Sequence, residues 1–321
     1  MQLEEIQRKS RILKRAEFGC LRDSFSVNIT RGCSFKCVYC YARGYAQAPQ
    51  EGRIYLYADL PAKLARELDS PRRRLKVQRI SFNTSTDCFQ EHPRIQEVAY
   101  QTMEACLRRG ITISFLTKGT IPGSFLELFS RYPGLVRAAV GLVSTSESYR
   151  KVFEPGTASI RDRLENIARL RSCGIRVQVR VDPVLPFLTD DHGSIESLMQ
   201  ALSRNGAKEI SLSYLHLRPR ILEQLQKELP PFQFQVLHSC FQGKEWTRVG
   251  TSTRSKLVPA SLRQKGYTRF LGSAKSYGIR AVICACKNPD LSGEICSFNP
   301  GPSRSDARPG YQERQLSFFD L

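Results

Sequence analysis

Three cysteines within one short segment constrain this chain more than any other feature of its sequence. Cys33, Cys37 and Cys40 lie in residues 31–43, which read RGCSFKCVYCYAR. Thiolates are soft ligands that select zinc, copper(I) or iron–sulfur clusters. No fourth ligand follows close by, so a cluster held by these three would keep one iron open, and an open position favours reactivity over structure. The alternatives are a group of reduced thiols or a zinc site completed by a distant ligand.

The spacing Cys33-x-x-x-Cys37-x-Tyr39-Cys40 resembles the signature of radical S-adenosylmethionine (SAM) enzymes. In that family, three such cysteines hold a [4Fe-4S] cluster whose open iron binds the amino and carboxylate groups of SAM. An electron from the cluster then cleaves SAM to a 5′-deoxyadenosyl radical, while the protein positions and shields that radical. The resemblance therefore implies that the three cysteines are cluster ligands and that SAM is a cofactor. It also implies an external electron donor, such as flavodoxin or ferredoxin, as a partner.

Alternating strand and helix patterns predict an α/β fold. Strands are expected at residues 24–30, 77–83, 111–117, 136–143, 175–181 and 209–215, and helices at 61–69, 94–109, 124–132, 157–173 and 194–205. Such alternation implies right-handed crossovers and a parallel sheet. The six units resemble the partial (βα)6 TIM barrel of radical SAM enzymes, in which catalytic groups lie at the C-terminal ends of the strands.

This pattern divides the chain into four parts. We expect a basic N-terminal arm (1–21), the radical SAM core (22–218), a small basic C-terminal region (219–299) and a flexible tail (300–321). The small region should contain one late strand at 278–285.

Several segments resemble spore photoproduct lyase and related DNA-repair members of the family. These are the run FEPGT at 153–157, followed by Arg163-Leu164 and Gly174, and the run FLTK at 115–118. The resemblance implies that Tyr39 and Tyr41 relay a radical and that Lys118 contacts SAM. The alternatives are a solvated lysine at 118 and an ordinary helix start at 153–157.

Polar residues at other strand ends are further candidates for SAM binding. Ser85 and Asp87 follow the second strand, and Ser144 follows the fourth. Arg180 lies within the fifth strand, where it either faces SAM or forms a structural ion pair. The lyase carries a hydrogen-donating cysteine after its second strand, where this chain has Ser85. Cys88 therefore either takes that catalytic role or is a structural cysteine.

The C-terminal region contains a second group of cysteines. Cys284, Cys286 and Cys296, with Cys20 as a fourth ligand, could bind a second iron–sulfur cluster or zinc. Free thiols are the alternative, because the spacing alone is not a strong motif.

Basic residues are in large excess and suit a polyanionic partner. The chain has 49 Lys and Arg against 30 Asp and Glu, a formal charge of +19. Residues 244–280 contain one acid and nine basic residues: Lys244, Arg248, Arg254, Lys256, Arg263, Lys265, Arg269, Lys275 and Arg280. The interleaved aromatics Trp246, Tyr267, Phe270 and Tyr277 either stack on bases or pack in the core.

These features favour an enzyme that acts on DNA lesions by photoproduct-lyase chemistry. The alternatives are a radical SAM enzyme that modifies RNA or a polypeptide, and a non-enzymatic iron–sulfur protein that binds nucleic acid. The chain has no run of the roughly 20 apolar residues that a membrane span needs, and residues 1–14 are too polar for a signal peptide. Eleven cysteines without such a signal indicate a reducing compartment, so we expect a cytoplasmic protein with no membrane partner.

The C-terminal run QLSFF resembles the short peptide by which bacterial replication and repair proteins bind the sliding clamp. In this hypothesis Leu316 and Phe319 fill apolar pockets, Phe318 adds apolar surface and Gln315 bonds laterally to backbone. The alternative is that the phenylalanines fold back onto the barrel.

Overall fold

The computed structural model describes residues 1–16, 19–21, 24–72, 76–249 and 253–294. In these ranges the strands are β1 (Gln2–Ile6), β2 (Lys14–Arg15), β3 (Phe25–Val27), β4 (Thr30–Arg31), β5 (Arg53–Tyr57), β6 (Arg79–Phe82), β7 (Thr112–Thr117), β8 (Val136–Gly141), β9 (Arg176–Val184), β10 (Glu209–Tyr214), β11 (His216–Leu217), β12 (Thr247–Val249), β13 (Thr253–Leu257) and β14 (Arg280–Ile283). The α-helices are α1 (Leu60–Leu68), α2 (Pro93–Leu107), α3 (Gly123–Ser130), α4 (Glu147–Phe153), α5 (Ile160–Ser172), α6 (His192–Arg204), α7 (Pro219–Glu228), α8 (Pro231–Ser239) and α9 (Ala260–Ser276).

An eight-stranded sheet forms the centre of the molecule. Its strand order is β14-β10-β9-β8-β7-β6-β3-β2, and each neighbouring pair is parallel except β2 with β3. The six predicted barrel strands are β3, β6, β7, β8, β9 and β10, and they are consecutive in this sheet. The predicted α/β class with a central parallel sheet is confirmed.

The sheet extends beyond the six predicted units at both edges. The late strand expected at 278–285 is β14, which pairs with β10 from Glu209↔Arg280 to Leu212↔Ile283. At the opposite edge, β2 pairs with β3 through Lys14↔Ser26 and Arg15↔Phe25. Residues from the expected N-terminal arm and C-terminal region therefore complete the sheet of the core.

Two smaller sheets hold segments that the site depends on. In the first, β5 lies between β1 and β4, and β4 ends at Arg31, just before the cysteine loop. In the second, β13 lies between β11 and β12, with Arg248 opposite Arg254. We call β12 and β13 the basic hairpin.

Apolar side chains from both faces of the central sheet form one continuous core. The strand residues Ile80, Ile113, Val140, Val179 and Ile210 are all completely buried. Helices α2, α5 and α6 each bury one apolar stripe against the sheet, as period-3.6 patterns predict. None of the helices in the described part of the chain has the length and apolarity of a membrane span.

Candidate active site

The cysteine loop, residues 32–40, follows β4 and is fixed by segments far away in sequence. The Ser34 amide donates to Gln90 Oε1 (2.7 Å), and the Val38 amide donates to the Phe153 carbonyl (3.0 Å). In return, the Gly156 amide donates to the Phe35 carbonyl (3.0 Å). The loop therefore has a defined backbone conformation that rests on residues 153–156.

Two glycines are required for this conformation. Gly32 has φ +87°, and a Cβ at Gly156 would lie 2.4 Å from the Ser34 carbonyl oxygen. A larger residue at 156 would push the cysteine loop away from α4. The FEPGT run is therefore more than a helix start.

The three cysteines suit a cluster bound by three thiolates. All three are half-buried and none forms a disulfide. Burial raises the pKa of Cys37 to about 12 and also raises the pKa of Cys33. A bound metal would reverse this, because coordination deprotonates a thiol. The donor set and its partial burial therefore fit a soft metal cluster.

Glu154 is the centre of a buried charge network beside the loop. It is completely buried and pairs with Lys118 Nζ (2.9 Å) and Arg163 Nη1 (2.5 Å), and it accepts a hydrogen bond from the Tyr39 hydroxyl. Lys118 Nζ also donates to the Tyr39 hydroxyl (2.5 Å). Tyr39, one residue before Cys40, is thereby joined to the ends of β7 and α4.

The network sets the ionisation of its members. Burial raises the pKa of Glu154, but Lys118 and Arg163 outweigh burial and hold that pKa at about 2. Burial likewise lowers the pKa of Lys118, but the Glu154 carboxylate outweighs it and raises that pKa. All three groups are therefore charged at neutral pH. Lys118 is not the solvated loop lysine of the alternative interpretation, because its side chain is only 13% exposed.

Asp87 fixes the backbone at the end of β7. One carboxylate oxygen accepts from the Phe89 amide and the Thr117 hydroxyl (both 2.9 Å), and the other accepts from the Lys118 amide (3.0 Å). Burial raises the pKa of Asp87 to about 6. This carboxylate acts on Lys118 by orienting its backbone.

The other predicted cofactor contacts lie along the same strand ends. The Ser85 amide donates to Asn28 Oδ1 (2.9 Å), and the buried Ser144 hydroxyl accepts from the Ser146 amide (3.1 Å). Arg180 forms an ion pair with Asp182 (3.0 Å), the structural alternative that the sequence left open.

Cys88 lies in the apolar core rather than at the surface of the site. Its side chain is completely buried, and its sulfur accepts from Asn83 Nδ2 (3.2 Å). Burial also raises the pKa of the Cys88 thiol. This environment fits the structural role and does not fit a hydrogen-atom donor, which must reach the substrate.

Tyr41 is half-buried next to the cysteine loop. Its hydroxyl donates to the Thr84 carbonyl (2.5 Å), and the Arg218 guanidinium lies 4.9 Å from its ring centre. Arg218 directly follows β11, which pairs with β13 of the basic hairpin. Tyr41 therefore connects the cysteine loop to the basic surface.

Helix α7 also holds the cysteine loop, a role that sequence reasoning missed. Gln224 Nε2 donates to the carbonyls of Val38 (3.1 Å) and Cys40 (3.2 Å), and Arg43 forms a salt bridge with Glu228 (2.5 Å). Pro219, at the start of the expected C-terminal region, is the first residue of α7. Proline at that position is a helix-start signal that could have identified α7.

A second polar cluster was also missed. Asp182 at the end of β9 pairs with Arg180 and with Lys287 Nζ (2.5 Å). Burial raises the pKa of Asp182, but these two cations outweigh burial and hold that pKa far below its ordinary value. His216 is nearby, and burial lowers its pKa to about 4. No local pattern could reveal this pairing, because Asp182 and Lys287 are 105 residues apart.

The basic region contains both surface and core residues. Exposed basic side chains include Lys244, Arg248 and Arg254, and Lys256 Nζ lies 5.2 Å from the centre of the Trp246 ring. Tyr267 and Phe270 are buried, which is the core alternative for these aromatics, and Arg263 is also buried and does not belong to the basic surface. Arg263 instead binds Asp290 (2.5 Å) and Asn288 (2.8 Å). These two partners offset the cost of removing the guanidinium from water.

Three of the four cysteines of the second group belong to neighbouring segments. The sulfurs of Cys284 and Cys286 are 3.0 Å apart, and Cys20 lies in a short 3₁₀ helix (Gly19–Leu21) that contacts Cys286. Within the described ranges, no three His, Cys, Asp or Glu side chains stand at the separations needed for one metal ion. Cys296 and the tail residues Gln315, Leu316, Phe318 and Phe319 lie outside the described residues.

Comparisons with known proteins agree with this site. The family model of the Radical SAM superfamily matches residues 27–202. An uncharacterized protein of Mycobacterium tuberculosis is 30% identical over 224 residues, which are 67% of this chain and 65% of that protein. The chain thus spans slightly less than two thirds of that relative's length.

Two further proteins are similar at lower identity. A radical SAM Nalpha-GlyT isomerase of Pseudomonas phage M6 is 25% identical over 218 residues, covering 65% of this chain and 44% of the phage protein. Among solved structures, a spore photoproduct lyase variant with bound AdoMet and dinucleoside spore photoproduct superposes with TM-score 0.68 at 16% identity. That superposition covers 87% of this chain and 81% of the lyase. At such identity the likeness concerns the fold.

Proposed function

The chain belongs to the radical SAM superfamily, and from this premise we propose that it is a SAM-cleaving enzyme that acts on DNA lesions. The proposed reaction is of the photoproduct-lyase type, in which a carbon–carbon bond between pyrimidines is broken. One observation carries the assignment of the site: residues 153–156 bond the cysteine loop directly to the Lys118–Glu154 network. In this proposal, the cluster ligands lie beside the charged group that would bind SAM.

We assign the cluster to Cys33, Cys37 and Cys40 and take it to be [4Fe-4S]. When bound, this cluster supplies the electron that cleaves SAM to a 5′-deoxyadenosyl radical. The described thiols supply three ligands, which leaves one iron open for SAM. Gln224 and Phe153 hydrogen-bond to the backbone of the loop. These contacts fix the loop without using the thiols, which stay available as ligands.

Lys118 is the proposed contact of the SAM carboxylate. The Lys118 ammonium has three N–H donors, and two of them donate to Tyr39 and Glu154. The third can donate to the carboxylate of SAM. Asp87 orients the Lys118 backbone, while Arg163 balances the remaining charge of Glu154. Ser85 and Ser144 remain predicted contacts of SAM, whereas Arg180 pairs with Asp182.

Tyr41 is the proposed hydrogen-atom donor in place of Cys88. It is half-buried at the strand ends, whereas Cys88 has no exposed surface. The Tyr41 O–H bond would break as a C–H bond forms on the product, and the external electron donor would restore the tyrosine together with a proton. The target base must leave the helical stack to reach this position.

DNA is the proposed substrate because the basic hairpin adjoins the site. Arg248 and Arg254 are exposed and in register on β12 and β13, and the hairpin joins β11, which leads to Arg218 beside Tyr41. The solved lyase with dinucleoside spore photoproduct is a relative in fold only, so it supports the substrate class by analogy.

The substrate is tested by anaerobic turnover with SAM and a reductant. We expect irradiated DNA to raise formation of 5′-deoxyadenosine at least several-fold over undamaged DNA, with loss of pyrimidine dimers from the DNA. The Cys37→Ala variant is the control for cluster-independent cleavage. Stimulation by RNA or a polypeptide instead of irradiated DNA would contradict the proposal and favour those substrates.

Charge reversal in the basic hairpin should weaken DNA binding and flatten its salt dependence. Each lost phosphate contact lowers the salt slope by about 1, so Arg248→Glu/Arg254→Glu should lower it by about 2. The matched control is Arg108→Glu/Arg161→Glu, which reverses one exposed arginine directly after α2 and one on α5. The measurement is the dissociation constant of duplex DNA over a salt series. Equal losses in both variants would show that the hairpin is not the binding surface.

Other partners follow from sequence alone. We propose an external electron donor, such as flavodoxin or ferredoxin, and a cytoplasmic location. Binding of the sliding clamp by the run at 315–319 is proposed from its sequence, independently of the described residues.

A further inference from the structure

We propose that Cys20, Cys284 and Cys286 form a second thiolate metal centre that joins the two edges of the open barrel. The proposal does not depend on SAM cleavage or on DNA as the substrate. It rests on where the fold brings these cysteines, on their mutual distances and on the buried contacts that hold their segments.

The cysteines come from opposite edges of the central sheet. Cys20 lies between β2 and β3, at one edge, and Cys284 directly follows β14, at the other. The segments nevertheless touch: a Cβ placed on Gly19 would lie 2.8 Å from both Cβ and Sγ of Cys286. The eight strands thus curl until their edges approach, and cysteines line the point of approach.

The thiols of Cys284 and Cys286 are direct neighbours. Their sulfurs are 3.0 Å apart. Tetrahedral zinc with Zn–S bonds of about 2.3 Å holds its sulfurs about 3.8 Å apart, so a small outward shift would fit an ion between them. Because no three ligands in the described ranges stand at single-ion separations, binding must also draw Cys20 inward.

Buried polar contacts hold the segment that carries this pair. Asn288 donates to the Cys284 carbonyl (2.9 Å), and its own side-chain oxygen accepts from Arg263 (2.8 Å) and the Tyr267 hydroxyl (3.0 Å). Lys287 is bound to Asp182 on β9. Such contacts around a ligand-bearing segment orient the ligands and are typical of metal sites.

The chemical class of the ligand follows from the donors. Thiolate donors select a soft metal, either zinc or an iron–sulfur cluster. In both cases the metal would fasten the β2–β3 edge to the β14 edge, between which the described residues form no strand pairing.

The test uses the full-length protein purified anaerobically with its native metal. The variant Cys33→Ala/Cys37→Ala/Cys40→Ala removes the first cluster, and its remaining zinc, iron and sulfide are measured. We expect either about one zinc per chain or residual iron with sulfide, and both results support the proposal. Adding Cys284→Ala and Cys286→Ala should remove that metal, whereas adding Cys173→Ala, a half-buried cysteine at the end of α5, should leave it.

Stability gives a second readout. In the wild-type background, Cys20→Ala and Cys284→Ala/Cys286→Ala should each lower Tm by roughly 5 °C or more, because metal binding is coupled to folding. If these variants fail to fold, native mass spectrometry of the Cys33/Cys37/Cys40 variant before and after chelation decides the question. The absence of any chelator-sensitive metal mass from that variant would overturn the proposal.

Discussion

Replacing Cys33, Cys37 or Cys40 singly by alanine is expected to abolish both the iron–sulfur absorbance and reductive SAM cleavage. Each residue supplies one of only three thiolates from the loop, and loss of one leaves the cluster without a stable attachment. We expect SAM cleavage to fall by at least about 1,000-fold, equivalent to about 4 kcal/mol in activation free energy. The measurements are the visible spectrum, the iron and sulfide content, and 5′-deoxyadenosine formation after anaerobic reconstitution.

A cysteine outside the loop provides the control for this experiment. Cys173→Ala removes a half-buried thiol at the end of α5, far along the chain from the loop, and should keep full activity. Retained SAM cleavage in any of the three loop variants would contradict the assignment of the cluster ligands.

Replacing Glu154 by glutamine is expected to lower the free energy of unfolding by about 3–5 kcal/mol, because two cations are left in a buried site without their carboxylate. Lys118 is 13% exposed and Arg163 is fully buried, so water cannot replace the lost charge. SAM cleavage should fall as well, because Lys118 and Tyr39 both lose their common partner. Denaturant unfolding and 5′-deoxyadenosine formation are measured in parallel.

Two further variants separate the charge effect from loss of packing. Glu104→Gln removes a carboxylate on α2 that pairs with exposed Arg108, and should change stability by less than about 1 kcal/mol. Glu154→Gln/Lys118→Met should recover part of the stability lost in Glu154→Gln without recovering activity, because it removes one unbalanced cation together with the SAM contact. No difference in stability between Glu154→Gln and Glu104→Gln would contradict the proposed network.

The same carboxylate predicts how stability depends on pH. The pKa of Glu154 is lowered from 4.5 to about 2, so its charged form is favoured by folding. Its contribution is therefore fully present above pH 4.5 and is lost as the pH falls toward 2. The Glu154→Gln variant should show a shallower loss of stability over that acid range than the wild type.

Much of the barrel could be predicted from sequence because its signals are local. Buried parallel strands such as Ile113 to Phe115 and amphipathic helices such as α5 repeat their patterns within a few residues. The six predicted strands consequently agree with the structure to within a few residues at each end. The cysteine motif is equally local: its eight residues predict the family that the match over residues 27–202 shows.

The contacts that complete the site are not local, and so the sequence did not reveal them. Lys118 binds Glu154, which lies 36 residues later in the sequence, and Arg263 binds Asn288, which lies 25 residues later. Arginine is usually exposed, so its burial can be inferred only when its partners are known. For the same reason, Arg263 was expected on the basic surface although it is buried in the core.

The C-terminal region was the least predictable part for a different reason. Two of its prolines, Pro219 and Pro231, each begin a helix. Proline lacks the amide that the first turn leaves unsatisfied, so the same residue marks both loops and helix starts. Only the apolar residues that follow, such as Ile221 and Leu225, distinguish the two.

The attachment of the cysteine loop has a consequence for the order of events during synthesis. The ribosome makes the loop early, but the carbonyls of Val38 and Cys40 receive their hydrogen bonds from Gln224, and the Val38 amide bonds to Phe153. The loop can therefore reach its final form only after the chain as far as α7 has emerged. Delivery of the metal to these cysteines should accordingly be a late event, acting on a nearly complete chain rather than on a nascent one.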